Sequence, residues 1–176
     1  IVDVFQQYLK FPENRQDYPS AYTFKSQHPD VLEIIEKQDI TQSKLNLGYQ
    51  IDCDFISEQH YAFTVFNAIF GGFSQSRLFK VVREENSLCY YVSSSYDAFN
   101  GIMIVNAGIE AKDYHKTMDL IQQELKAIQD GQIEKRDIDV AKMMLENSLR
   151  KTSDEAGSMI ALTYNRDITH KVESND

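Results

Sequence analysis

Arg83 and Tyr90, seven positions apart in "SRLFKVVREENSLCYYVSSSY" (residues 76–96), are the side chains of this sequence best placed by type and spacing to do chemistry. Arg83 closes a short run in which Leu78, Phe79 and Val82 recur at helical spacing. Tyr90 opens the strand-like stretch that follows. A tight turn between them brings a guanidinium and a phenol together, which supplies several hydrogen-bond donors and no competing negative charge. Such a pair suits peptide carbonyl oxygens or a developing oxyanion. The same residues also read as scaffold, a helix-terminal arginine complementing the helix dipole and a tyrosine packed in a sheet, and on spacing alone this plainer reading carries more weight.

Other chemistry finds little support. A hydrolytic zinc site wants two histidines one helical turn apart or two flanking a glutamate, and His28, His60, His115 and His170 are scattered. His60 and His115 read as solvent-facing residues at helix starts. The acidic pairs Glu84-Glu85, Asp52 with Asp54, and Asp137 with Asp139 fit solvated helix and turn faces, so no acid–base pair stands out. Cys89, inside a strand pattern without a designated histidine, reads as a buried structural thiol. Gly71-Gly72 lacks the further Gly or Lys of a phosphate-binding loop and reads as a helix stop. This chain therefore offers no catalytic residue and no metal ligand set of its own.

The elements that must position Arg83 and Tyr90 follow from periodicity. "VLEIIEKQDI" (31–40) reads as a strand from its β-branched content, and "KLNLGYQID" (44–52) as a half-buried strand in which Leu45, Leu47, Tyr49 and Ile51 alternate with polar residues. Ser57 caps a helix carrying Ala62, Val65, Phe66 and Ile69, and a second short helix starting at Ser74 or Ser76 is broken by Asn86-Ser87. "LCYYVSSSYDAF" and "IMIVNAGIE" form a hairpin through Asn100-Gly101. Helices over 113–129 (Tyr114, Met118, Ile121, Leu125, Ile128), around Ile138–Leu149 and around Met159–Ile168 complete the chain. The predicted fold class is α+β: a mostly antiparallel sheet with helices packed on one face.

Residues 1–30 hold all three prolines and read as a linking segment with a short helix at its start, and 31–176 as a single domain. A chain that opens Ile1-Val2-Asp3 is expected to be part of a longer protein. Its net charge of −9 argues against nucleic acid or an anionic membrane as partner. No apolar run approaches the ~20 residues needed to cross a bilayer. Two isolated cysteines, Cys53 and Cys89, suit a reducing, cytoplasmic setting.

The stretch "AIFGGFSQSRLFKVVREENSLCYYVSSSYD" (68–97) resembles the C-terminal-half signature of the pitrilysin and mitochondrial-processing-peptidase-like zinc peptidases, most of all the bacterial members. Gly71, Gly72, Ser76, Arg77, Leu78, Phe79, Arg83, Glu84, Leu88 and Tyr90 fall on its pattern. More loosely the likeness runs from "SKLNLGYQ" through "GIE" at 108–110 to the helices separated by Asp130-Gly131. In that family two homologous halves close like a clamshell; one carries an H-x-x-E-H zinc motif and the other contributes an Arg and a Tyr that hold the peptide. The resemblance implies that this chain is the zinc-free half, with Arg83 and Tyr90 as substrate-binding residues. It further implies zinc in a homologous partner domain or subunit, and an extended peptide as substrate. An inactive scaffold subunit of the same fold is the alternative. Phe73, Gln75 and Ser87 depart from the commonest pattern, which has Gly, Ser and Gly there, and Tyr91 beside Tyr90 leaves open which phenol faces the substrate.

Overall fold

Strict alternation along "IMIVNAGI" buries Met103, Val105, Ala107 and Ile109 and turns Ile102 and Ile104 outward, so the strand β3 (Ile102–Ile109) can be packed on one face and paired on both edges. In the computed structural model, which describes residues 2–10, 14, 30–53 and 59–169, β3 is the centre of an antiparallel sheet between β1 (Ser43–Gln50) and β2 (Cys89–Asp97). The register aligns inward rows across the sheet: Leu45–Ala107–Val92, Leu47–Val105–Ser94 and Tyr49–Met103–Tyr96. The β2–β3 connection runs over residues 98–101, longer than a two-residue turn, and Gly101 takes the positive φ of 62° that the sequence assigns to it. Asp97 accepts the Asn100 side-chain amide there as well as the N–H groups of Phe99 (2.9 Å) and Asn100 (3.2 Å), and the Asn100 side chain first, helped by the two backbone bonds, holds its carboxyl below the usual range.

Helices cover the inward face. α2 (Gln59–Asn67) runs on into a π-helical turn, Ala68–Gly72, and a π-helix follows at Phe79–Glu85. α3 (Tyr114–Gln129), α4 (Lys135–Asp154) and α5 (Ala156–Thr169) come after β3, and a short exposed helix, α1 (Val2–Tyr8), precedes β1. Phe70, Leu78, Val82 and Ile121 from the helices meet Val105 and Ile109 of the sheet with no residual exposure above 1%. The α+β class is thus as read. α3 ends in a Schellman motif: Gly131, at φ 78°, donates to Ile128 O at 3.0 Å and Gln132 donates to Ala127 O at 2.9 Å. Three residues on, the Glu134 and Asp137 side chains form a reciprocal capping box that starts α4.

Gly71-Gly72 does not act as a helix stop through backbone freedom. Both lie within the π-helical turn, and neither has a positive φ. Their role is close approach, for a methyl group on Gly71 would stand 2.7 Å from the backbone nitrogen of Ser94 in β2. Alongside, Ser94 Oγ donates to Asn67 Oδ1 at 2.7 Å, so helix and strand are tied where they come closest. Gly71→Ala is expected to cost about 2 kcal/mol, because the clash is with backbone that cannot swing away; urea unfolding measures it.

Arg77 joins three elements. Its guanidinium donates to Asp137 Oδ2 from Nη2 (2.9 Å) and Nε (3.3 Å), to the carbonyl of Gln132, and lies 3.6 Å from Glu124. Glu124 nevertheless has its carboxyl raised above the usual range, because burial outweighs the pull of Arg77. Thr117, with no exposed surface on α3, has a hydroxyl without an acceptor. Thr117→Val keeps its shape and removes that orphan, and should raise stability by about 1 kcal/mol in the same unfolding measurement.

Two sequence expectations need correction or fall outside. Residues 31–40 form no strand: they have no regular secondary structure, and Val31, Leu32, Ile34 and Ile35 are largely exposed. β-branched content favours a strand only when a neighbouring edge and a buried face are there to receive it, and among the described residues β1 pairs with β3 alone. Ser57, the expected helix cap, lies outside the described residues.

Candidate functional site

The π-helix that carries Arg83 is anchored by Leu78 and Val82, both fully buried, while Phe79 and Arg83 lie on its outer side. The Arg83 guanidinium rests over the Phe79 ring, 4.6 Å from its centroid. Among the described residues no carboxylate pairs with it. Arg83 is therefore a positioned cation whose donors meet no acceptor among the described residues. Lys80, by contrast, is solvent-exposed beside Glu85 (3.8 Å), and Arg77 is structural, so neither competes for the role.

The chain leaves the π-helix through Ser87, which has a φ of 53° and is the single described non-glycine residue in the left-handed region. This is the position where the family pattern favours glycine, and the backbone explains why. Ser87→Gly should stabilise the protein by roughly 1 kcal/mol, read as a higher denaturation midpoint. Leu88, buried, then returns its N–H to Val82 O at 3.0 Å and hands the chain to β2.

Tyr90 falls on a β-bulge. Cys89 pairs with Ile109 and Tyr91 with Gly108, which leaves Tyr90 as the extra residue, 70% exposed. Bulges re-aim side chains, and here the two neighbouring tyrosines take different surroundings. Tyr91 lies flat over Gly108, whose missing side chain makes the room: a methyl group there would stand 2.5 Å from the Tyr91 ring. Tyr90 instead lines an open cleft of about 450 Å³ with Thr41, Gln42, Glu110, Ala111 and Lys112. The cleft was not foreseen, because its walls come from the ends of three strands; the bulge likewise has no sequence signal beyond the doubled tyrosine.

Arg83, near the end of the π-helix, and Tyr90, at the start of β2, are joined by no hydrogen bond or ring contact among the described residues. Between them lies Cys89, whose thiol is pushed up by burial while the Arg83 charge pulls it back down. Read from the sequence as a buried structural thiol, Cys89 is half-buried. His60 differs from expectation. It is half-buried, its ring 5.9 Å from that of Tyr96, and its carbonyl accepts the Thr64 hydroxyl at 2.9 Å while Thr64 and Tyr96 share a 2.6 Å bond. His115 is exposed against Tyr114, and His28 and His170 lie outside the described residues. Among the described residues no three His, Cys, Asp or Glu side chains are placed to hold a metal ion, so the described donors do not fit zinc. No described helix is long and apolar enough to cross a membrane.

An antiparallel sheet with helices packed against it defines the domain as α+β. Residues 1–145 match the pattern of the Peptidase M16 inactive domain, and the chain belongs to that family. It is 36% identical over 132 residues to the Bacillus subtilis protein YmfF, described as a probable inactive metalloprotease, covering 75% of this chain and 31% of that one. An Enterococcus faecalis protein of known structure superposes with a TM-score of 0.72 at 39% identity, over 77% of this chain and 32% of that one. The M16 inactive domain from Pseudomonas fluorescens superposes at 0.59 with 24% identity, over 73% and 34%, and shows the same fold. The chain thus spans about a third of the length of the relatives it matches.

Proposed function

We propose that this chain is the non-catalytic, substrate-binding half of a zinc-dependent endopeptidase. Arg83 and Tyr90 grip an extended peptide whose backbone adds to the outer edge of β2. The homologous partner half supplies zinc, the activated water and the general base. The observation that carries the reading is the state of the pair: an arginine held over Phe79 with its donors unpaired among the described residues, and a tyrosine set outward by a bulge at the start of an edge strand. Neither feature is needed for packing, since both side chains are exposed. On this reading residues 31–176 form the clamping domain and the protein works in the cytoplasm. The test is cleavage by the parent protein together with its zinc-bearing partner after Arg83→Ala or Tyr90→Phe. Undiminished cleavage would sink the proposal.

A second reading has one observation in its favour. YmfF, at 36% identity, is described as probably inactive, and on that pattern the domain serves as a scaffold that assembles without turnover. An assembly that forms but never hydrolyses unfolded peptides, with or without Arg83, supports it.

A further inference from the structure

Arg83 owes its placement to a local arrangement that the resemblance does not mention. In a π-helix the ladder runs from each N–H to the carbonyl five residues back. The donor due at Val81 O is the backbone N–H of Asn86, but that group turns instead to Arg83 O. Asn86 then supplies the bond from its side chain, with Nδ2 donating to Val81 O at 2.9 Å. Ser87 adds its own N–H to Arg83 O at 3.1 Å, so the Arg83 carbonyl takes two donors at the turn where the chain enters left-handed backbone. The end of the π-helix is thereby fixed on both sides of Arg83, by a side-chain amide on the preceding turn and by two backbone amides on its own carbonyl.

We propose that Asn86 is a positioning residue: its carboxamide holds the wide turn open and so sets the rotation at which the Arg83 guanidinium lies over Phe79. Without that donor, the final turn gains by tightening to α geometry, in which each carbonyl meets the N–H four residues on. Dropping from about 4.4 to 3.6 residues per turn swings the last side chains around the axis by tens of degrees, which is enough to unstack Arg83 from Phe79. The consequence for peptide binding rests on the function proposed above; the consequence for Arg83 does not.

The test uses the full chain and three variants, Asn86→Asp, Ser87→Gly and the double variant. Asp matches Asn in shape but cannot donate. Two readouts are taken: the NMR resonance of the Arg83 Nε–H, which the Phe79 ring shifts while the two are stacked, and the affinity for fluorescein-labelled casein, an unfolded chain. In Asn86→Asp the Arg83 resonance should move to the position of a free arginine, and affinity should fall about tenfold, the worth of one charge-assisted hydrogen bond. Ser87→Gly in the double variant should recover thermal stability and recover neither of the other two. An Arg83 resonance unmoved in Asn86→Asp would overturn the proposal, as would affinity that returns together with stability, because Asn86 would then be a helix end-cap and nothing more. If wild-type protein binds no casein while the resonance moves as expected, the peptide reading fails and the positioning of Arg83 stands.

Discussion

Arg83→Ala is expected, on the function proposed above, to lower kcat/KM of the assembled peptidase by about a hundredfold, and Tyr90→Phe by at least tenfold, with the unfolding free energy of either variant within about 0.5 kcal/mol of the parent. The separation of the two readouts follows from where the residues sit. Both side chains are exposed, Arg83 has no ion pair among the described residues, and removing it leaves no buried partner stranded. On the function proposed above, what is lost is a guanidinium that meets a peptide carbonyl, or the oxyanion that forms on it, in a site from which the closing partner half excludes water. Interactions of this kind contribute most where charge develops in the transition state. Arg83→Lys should recover little, since a point charge cannot reproduce the planar fork or its stacking on Phe79. Tyr91→Phe serves as the control: its ring covers Gly108, its hydroxyl is assigned no part, and activity should stay within twofold of the parent.

Arg77→Ala should give the opposite pattern, a loss of about 3 kcal/mol of stability. This arginine is mostly buried, at 19% side-chain exposure, and holds Asp137 through two nitrogens, Glu124 at 3.6 Å and the Gln132 carbonyl. Truncation strands two half-buried carboxylates and a carbonyl, and the resulting repulsion and lost solvation, more than the ion pairs themselves, set the size of the effect. Lysine at 77 reaches one of the acceptors at a time and restores less than half of the loss. Urea unfolding at neutral pH measures both variants. Because Arg77 and Arg83 lie six residues apart in one signature, the contrast between them separates scaffold from site.

Much of this was legible because it depends on short-range pattern. The alternation of Leu45, Leu47 and Tyr49, the hairpin through Gly101 and the helical steps from Tyr114 to Ile128 all reappear, since each element buries one face whatever its neighbours do. What escaped depends on neighbours. "VLEIIEKQDI" has the composition of a strand and no edge to pair with among the described residues. Gly71 reads as a stop and is in fact a contact surface for Ser94, a demand set by a strand more than twenty residues away. The π geometry around Arg83 and the bulge at Tyr90 have no composition of their own; each is a one-residue excess that becomes visible only against the element it departs from. The spacing of Arg83 and Tyr90 was legible in the sequence, whereas the different surroundings of Tyr90 and Tyr91 needed the bulge.

The most direct measurement of the central claim is an NMR titration of the full chain with an unfolded peptide. The account predicts that the shifts concentrate on the Arg83 Nε–H, the Tyr90 amide and the outer amides of β2, and that Arg83→Ala weakens the titration about tenfold. Shifts that cluster on another surface, or a titration indifferent to Arg83, would contradict it.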